Sequence, residues 1–254
     1  SVAKCWPKNV PLSRASSLPI PDSTKHAEYF QHITIKVKIN VPPPPSAGIP
    51  PERSVFMHTW NTFTVHLRER FGQRVQKIPL DAGASCPNRD GVCGTRGCIF
   101  CDGAGAFAES GAIPDQLAAA RLRVAAKAGT DAKYIAYFQS FTNTYGDADR
   151  LRALYQAAMA PEDVVILSIA TRPDCLGPDI LGLLEELNRI KPVWVELGLQ
   201  TIHPESARYL RRGYDLPVFD RAVKDLKAIG VTVIVHQILG LPLSLIHISE
   251  PTRH

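Results

Sequence analysis

Apolar positions along the chain change period several times, and the changes follow a regular order. Over residues 60–71, Phe63, Leu67 and Phe71 recur every four residues, the spacing of one helix face, and Gly72 follows as a stop. Residues 75–80 read as a short strand leading into a polar loop. Residues 114–128 are rich in Ala and Leu with Arg at intervals, a helix that Gly129 ends. Residues 134–138 are an apolar run bounded by the polar stretch SFTNTYGD, hence a strand, and residues 148–160 return to helical spacing. Residues 164–169 form a continuous β-branched run, as expected of a strand buried on both faces.

The alternation continues to the end of the patterned region. Residues 178–190 begin with Pro and carry Leu181, Leu183, Leu184 and Leu187 along one side, a helix. Residues 193–199 read as a strand, 204–212 as a short helix ended by Gly213, 218–229 as another ended by Gly230, and 231–239 as a buried strand. Five strands joined by helices predict an α/β fold with a parallel sheet, either open or curled into a partial barrel. In such folds active sites collect at the C-terminal ends of the strands. The segments that follow the strands are the cysteine loop and residues 139–145, 170–174, 200–203 and 240–242, which predicts one pocket rimmed by all five.

The two ends do not share this pattern. Residues 1–56 show no sustained period and include Pro42-Pro43-Pro44-Pro45, so they are expected to be a linker, a disordered tail or translated upstream sequence ahead of Met57. Residues 243–254, LSLIHISEPTRH, resemble the in-frame translation of a sequencing-library adapter, which places the end of the natural core near residue 242.

Charge adds a restriction. The net charge of +5 sits mostly at the N-terminus, where residues 1–56 hold seven Lys or Arg against three Asp or Glu, whereas residues 57–242 hold twenty-one against twenty. A near-neutral core gives no charge-based warrant for a nucleic-acid partner. No apolar run approaches the ~20 residues that span a bilayer, and no signal pattern opens the chain, so a cytoplasmic protein without membrane attachment is expected.

Candidate chemistry is concentrated in residues 86–101, CPNRDGVCGTRGCIFC, which hold four of the six cysteines. Such crowding does not resemble a secreted disulfide framework and points to thiolate ligands kept reduced. Six residues separate Cys86 from Cys93, four separate Cys93 from Cys98, and two separate Cys98 from Cys101. From spacing alone, zinc held by four thiolates and an iron–sulfur cluster both stay open, with a redox CxxC as a third reading. A zinc-stapled α/β module that binds a partner without catalysis is the alternative to an enzyme.

Several blocks carry a family resemblance. Phe71-Gly72, Lys77, LDAG at 80–83, CPNRDG, GCIFC, YFQSFTNTY at 137–145, ATRPDCL at 170–176, ELGLQTIHPES at 196–206, RRGYD at 211–215 and VHQILGLP at 235–242 run in order through residues 57–242. They resemble the radical S-adenosylmethionine (SAM) proteins of the YhcC and YtqA type, a group related to Elp3 and MiaB-like enzymes. The resemblance implies a partial (β/α)6-type barrel whose C-terminal part is missing. It also implies a [4Fe-4S] cluster on Cys86, Cys98 and Cys101, with Cys93 and Cys175 as non-ligands and one iron open for SAM. Many such proteins use three residues between the first two ligands, and eleven separate Cys86 from Cys98 here.

The implied reaction is one-electron cleavage of SAM to methionine and a 5′-deoxyadenosyl radical that removes hydrogen from a substrate, the electron coming from a donor such as flavodoxin or ferredoxin. Gln139 is expected to accept from the SAM ammonium, Glu196 and Gln200 to meet ribose hydroxyls, Thr171 and Arg172 to meet the carboxylate, and Gly240 to allow close approach of adenine. No catalytic acid is assigned, His203 and His236 being as readily structural. The substrate, whether protein, RNA or small metabolite, is left open.

Overall fold

The elements follow one another as the apolar pattern predicts, because each strand has one face for helices and another for a different set of partners. The computed structural model describes residues 35–39, 63–101, 110–128, 131–238 and 241. Met57, Gly240 and the adapter-like residues 243–254 lie outside the described residues. In chain order the elements are β1 (Ile35–Ile39), α1 (Phe63–Phe71), β2 (Val75–Leu80), α2 (Ile113–Ala128), β3 (Lys133–Phe138), α3 (Ala148–Met159) and β4 (Val164–Thr171). They continue with α4 (Pro178–Ile190), β5 (Val193–Gln200), α5 (Pro204–Tyr209), α6 (Leu216–Ala228) and β6 (Thr232–Ile238).

A single sheet has the order β1-β6-β5-β4-β3-β2. Strands β2 to β6 are mutually parallel, which bears out the expected α/β fold with five parallel strands, the wall of a partial (β/α)6-type barrel. β1 is the departure. Residues 1–56 were assigned no element, yet Ile35–Ile39 pairs antiparallel with β6, from Ile35 opposite Ile238 to Ile39 opposite Ile234. The segment IKVKI does alternate with period two, but over only five residues, too few to stand out beside the prolines. An otherwise open edge of β6 supplies the missing partner for its backbone.

One face of the sheet packs against helices. Ile78, Phe138, Leu167, Ile169, Val195 and Leu197 meet Leu117 of α2, Tyr155 of α3, Leu184 and Leu187 of α4, and Leu226 of α6 in one continuous core. Several of these are fully buried, each worth roughly 1.5–3 kcal/mol relative to exposure. Local sequence sets the helix boundaries. Asp147 caps α3 through Arg150 N at 2.9 Å, and Asp215 caps α6 through Val218 N at 3.3 Å. Lys191 stitches the end of α3 to the sheet, its Nζ donating to Met159 O, Pro161 O and Val164 O at 2.6, 2.7 and 2.8 Å.

The opposite, inner face is closed at one end by α1. Leu67 joins Val75, Ile135, Ile166, Trp194 and Ile234, and Phe63 sits edge-on to Trp194 with centroids 5.8 Å apart. Among the described residues no helix is long and apolar enough to cross a membrane.

α5 is shorter than expected, ending at Tyr209 and not at residue 212. Arg211 takes φ 53° and Gly213 φ 85°, left-handed values that stop the helix. The turn brings Arg212 back to the end of β5, and this places the site.

Candidate functional site

Beyond the apolar layer, toward the C-terminal ends of the strands, each parallel strand contributes one polar residue to the inner face: Lys77, Tyr137, Ser168, Glu196 and His236. Glu196 is their centre and is 2% exposed. Its Oε1 accepts from Lys77 Nζ and Ser168 Oγ, and its Oε2 lies 2.7 Å from His236 Nε2. Tyr137 lies beside the same carboxylate, and Lys77 Nζ lies 3.5 Å from the Tyr137 ring centroid.

These contacts set the charges. Burial alone would raise the Glu196 carboxyl, but His236 and Lys77 outweigh it and hold its pKa at about 2. Burial lowers Lys77, which Glu196 offsets only in part, and burial beside the same carboxylate raises Tyr137. Glu196 is thus a fixed anion, with Lys77 and His236 as its more accessible partners at 29% and 23% side-chain exposure.

The cysteine loop leaves β2 and is fastened to the turn after α5. Asn88, nearly buried, donates through Nδ2 to Arg211 O at 2.6 Å and to Cys98 Sγ at 3.3 Å. Ile99 N donates to Leu210 O at 3.2 Å, and Ile99 and Phe100 pack against Leu210, Ile238 and Leu241. Arg89 donates to Cys101 O at 2.5 Å. The free thiols among the described residues are Cys86, Cys98, Cys101 and Cys175.

The turn that holds the loop is itself anchored by Arg212. Its buried guanidinium donates to Leu199 O and Thr201 O at 2.6 and 2.7 Å through Nη1, and to Tyr214 O at 3.0 Å through Nε. Tyr214 donates in turn to Gly198 O. The two strand-end segments after β3 and β4 are also joined: Asn143 N and Nδ2 donate to Ala170 O at 3.2 and 2.9 Å, and Thr142 N donates to Ser85 O at 3.2 Å.

The residues singled out from sequence gather at this end of the sheet with differing freedom. Gln139 follows β3 directly and is half-buried. Thr171 is buried, its hydroxyl 2.6 Å from that of Thr144. Arg172 has its fork filled, Nε and Nη2 donating to Asp174 Oδ1 and Oδ2 at 2.9 and 2.7 Å, while Nη1 reaches Arg212 O at 2.9 Å. A free bidentate clamp at Arg172 is therefore not what the structure presents. Gln200 takes φ 62° at a register shift between β5 and β6, which carries its amide back toward Gly198. Gly240 lies outside the described residues.

The cysteines fit a cluster by their chemistry. Cys98 feels both Cys86 and Cys101, and burial pushes its thiol up to about 11, with Arg172 and the Asn88 amide pulling the other way. A thiol kept protonated by burial becomes a good anion once a cation binds it. Among the described residues no three His, Cys, Asp or Glu side chains form a site for a metal ion. Ser140 Oγ, buried just beyond Gln139, has no hydrogen-bond partner among the described residues, so a polar group at the strand ends would find a ready donor.

Lys77, Tyr137, Ser168, Asn88, Arg212 and Tyr214 were not assigned roles from sequence. A signal was available for the first three: in every parallel strand a polar residue stands two positions after an apolar one, at Val75/Lys77, Ile135/Tyr137, Ile166/Ser168, Trp194/Glu196 and Ile234/His236, and so on the same face. Asn88 and Arg212 had no such signal, because their partners are backbone carbonyls of distant segments.

Residues 91–248 match the family described as the Radical SAM superfamily. The chain is 44% identical over 188 residues to YtqA of Bacillus subtilis, covering 72% of this chain and 58% of that protein. It is 40% identical over 188 residues to YhcC of Escherichia coli K12, covering 72% of this chain and 59% of that one. It thus spans less than two thirds of the length of these relatives. A solved structure titled the archaeal Methanocaldococcus infernus Elp3 with an N-terminal deletion aligns with a TM-score of 0.48 at 18% identity, over 68% of this chain and 40% of that one.

Proposed function

The chain belongs to the radical SAM superfamily, and from that premise we propose that it binds a [4Fe-4S] cluster through Cys86, Cys98 and Cys101 and cleaves SAM reductively to modify a substrate. When bound, cluster and SAM together supply one-electron cleavage to methionine and a 5′-deoxyadenosyl radical able to take hydrogen from a substrate. The observation that carries the reading is the position of three free thiols on a loop pinned across the C-terminal ends of parallel strands.

The chain's own residues would then bind and orient. Asn88 donates to Cys98 Sγ and so favours its thiolate. Gln139 and Ser140, at the end of β3, would hold SAM as acceptor from its ammonium and donor to its carboxylate. Thr171 and Gln200 would border the same space, and Gly240 is assigned only the role of letting adenine approach closely. Arg172, already paired with Asp174, acts there as a fixed positive charge and not as a clamp. Glu196 serves the ribose side through its accessible partners His236 and Lys77. The apolar layer beneath, closed by α1, keeps water from the inner face. The electron comes from a donor of the flavodoxin or ferredoxin type, and the setting is cytoplasmic. The substrate is unassigned.

The test is anaerobic reconstitution with iron and sulfide, electron paramagnetic resonance after reduction, and measurement of 5′-deoxyadenosine. A cluster signal that Cys86→Ala, Cys98→Ala or Cys101→Ala abolishes, and 5′-deoxyadenosine formed only by the wild type, is expected. A bound zinc ion with no cluster signal would overturn the reading.

A further inference from the structure

We propose that Arg172, a buried cation fixed against the turn that holds the cysteine loop, raises the reduction potential of the cluster; this rests on the reading of Cys86, Cys98 and Cys101 as its ligands. The first observation is where the guanidinium points. Its Nε and Nη2 edge is taken by Asp174 at 2.9 and 2.7 Å, and Nη1 reaches away from that carboxylate to Arg212 O at 2.9 Å. Its Cζ lies over the Tyr214 ring, 4.9 Å from the centroid. Both contacts belong to residues 211–214, the same turn whose Arg211 carbonyl meets Asn88 Nδ2 and Cys98 Sγ.

The second observation is how little separates this cation from a ligand thiol. Gly213 has no side chain, and a Cβ there would stand 3.3 Å from Arg172 Nη2 and 3.4 Å from Asn88 Oδ1. Asn88 donates from the other end of its amide to Cys98 Sγ at 3.3 Å. The guanidinium and the Asn88 amide thus flank one point, with the Cys98 sulfur next to the amide. After burial itself, the strongest influence on that sulfur is the Arg172 charge, ahead of Cys86 and Cys101.

Burial gives the charge its reach. The Arg172 and Asp174 side chains are 8% and 1% exposed, so water screens neither well. An iron–sulfur cluster takes its potential from its own net charge, the hydrogen bonds to its sulfurs and its exposure. One electron from the reductant adds one negative charge and no atom changes hands; a fixed cation beside the sulfurs favours that state, and a carboxylate opposes it. Here the cation stands on the ligand side of the pair and the carboxylate on the opposite edge, so the effect of the cation is the larger. The filled fork follows from the same role. Asp174 fixes the guanidinium in place, and a cation that cannot swing away keeps its field on Cys98.

The experiment reconstitutes the 254-residue chain anaerobically and titrates it with dithionite in the absence of SAM, reading the reduced fraction by electron paramagnetic resonance at each poised potential. Three proteins are compared. Asp174→Asn keeps the cation and removes its counter-charge, while Arg172→Gln/Asp174→Asn removes both and leaves no buried charge unpaired. Arg212 stays in all three, so its own charge cancels from the comparison. The potential is expected to be highest in Asp174→Asn, intermediate in the wild type and lowest in the double variant. From the first to the last, the balance between oxidised and reduced cluster should change about tenfold, equivalent to about 59 mV for one electron. Should the double variant fail to fold, the upward shift in Asp174→Asn decides alone. Arg172→Lys, which keeps the charge and loses the fork, should lose thermal stability and stay near the wild-type potential. Equal potentials in all the variants, or a lower potential in Asp174→Asn than in the wild type, would overturn the role of Arg172 and leave the cluster reading standing. Absence of any cluster signal in the wild type would overturn the cluster reading, and the role of Arg172 with it.

Discussion

Glu196 on β5 and His236 on β6 meet at 2.7 Å inside the sheet, so that this buried carboxylate of the inner face is held by a histidine on one side and by Lys77 on the other. A carboxylate 2% exposed would be costly if unpaired. Here burial is outweighed by its partners, and each partner comes from a different strand.

This relationship predicts an acid-sensitive stability. The Glu196 carboxyl sits at about 2 in the folded state against an ordinary 4.5. The group therefore stabilises the fold fully above about pH 4.5, and that contribution is lost as pH falls toward about 2. The difference corresponds to on the order of 3 kcal/mol, less whatever the burial of Lys77 takes back. Glu196→Gln should remove this part of the acid transition in denaturant melts run from pH 7 down to pH 2. An unchanged slope would show that the carboxyl titrates normally.

Asn88→Ala should loosen the cysteine loop. The variant removes the amide donor to Cys98 Sγ and leaves the carbonyl of Arg211 with only the weak Cys98 thiol at 3.5 Å, at about 1–3 kcal/mol for the poorly met acceptor. Thermal melts of the unreconstituted protein measure the loss directly. Iron retained per chain after reconstitution should fall with it, and full retention would argue that the loop is held elsewhere.

Arg212 is a strong case for geometry over charge. Three carbonyls, of Leu199, Thr201 and Tyr214, share its guanidinium. Arg212→Ala should destabilise by about 3 kcal/mol or more, since each lost charge-assisted bond leaves a buried acceptor unmet. Arg212→Lys should recover only part, because a point charge cannot reproduce the fork. Equal stability of the Lys variant and the wild type, by urea unfolding, would contradict this.

Gly213→Ala is expected to cost about 1–2 kcal/mol. The backbone there has φ 85°, and an added Cβ would stand 3.3 Å from Arg172 Nη2 and 3.4 Å from Asn88 Oδ1. Gly182→Ala is the control, since it sits inside helix α4 with open space around it and should be neutral or stabilising. A loss at residue 182 equal to that at 213 would remove the special role of the turn.

What the sequence determined by itself is the alternation of strands and helices and the position of the cysteine loop. Both follow from local pattern: residues 75–80 and 178–190 announce their period without reference to anything distant, and the observed β2 and α4 have those same bounds. The inner face was less legible. Lys77 and Glu196 are 119 residues apart in sequence and in contact only because β2, β3, β4 and β5 stack in register. Tertiary structure alone decided that Asp174 fills the fork of Arg172, that Arg211 and Gly213 end α5 early, and that Ile35–Ile39 has an edge to pair with. The physical reason is the same in each case. Hydrophobic period is a property of a few consecutive residues, whereas the partner of a buried polar group is whatever the folded chain brings within hydrogen-bond reach.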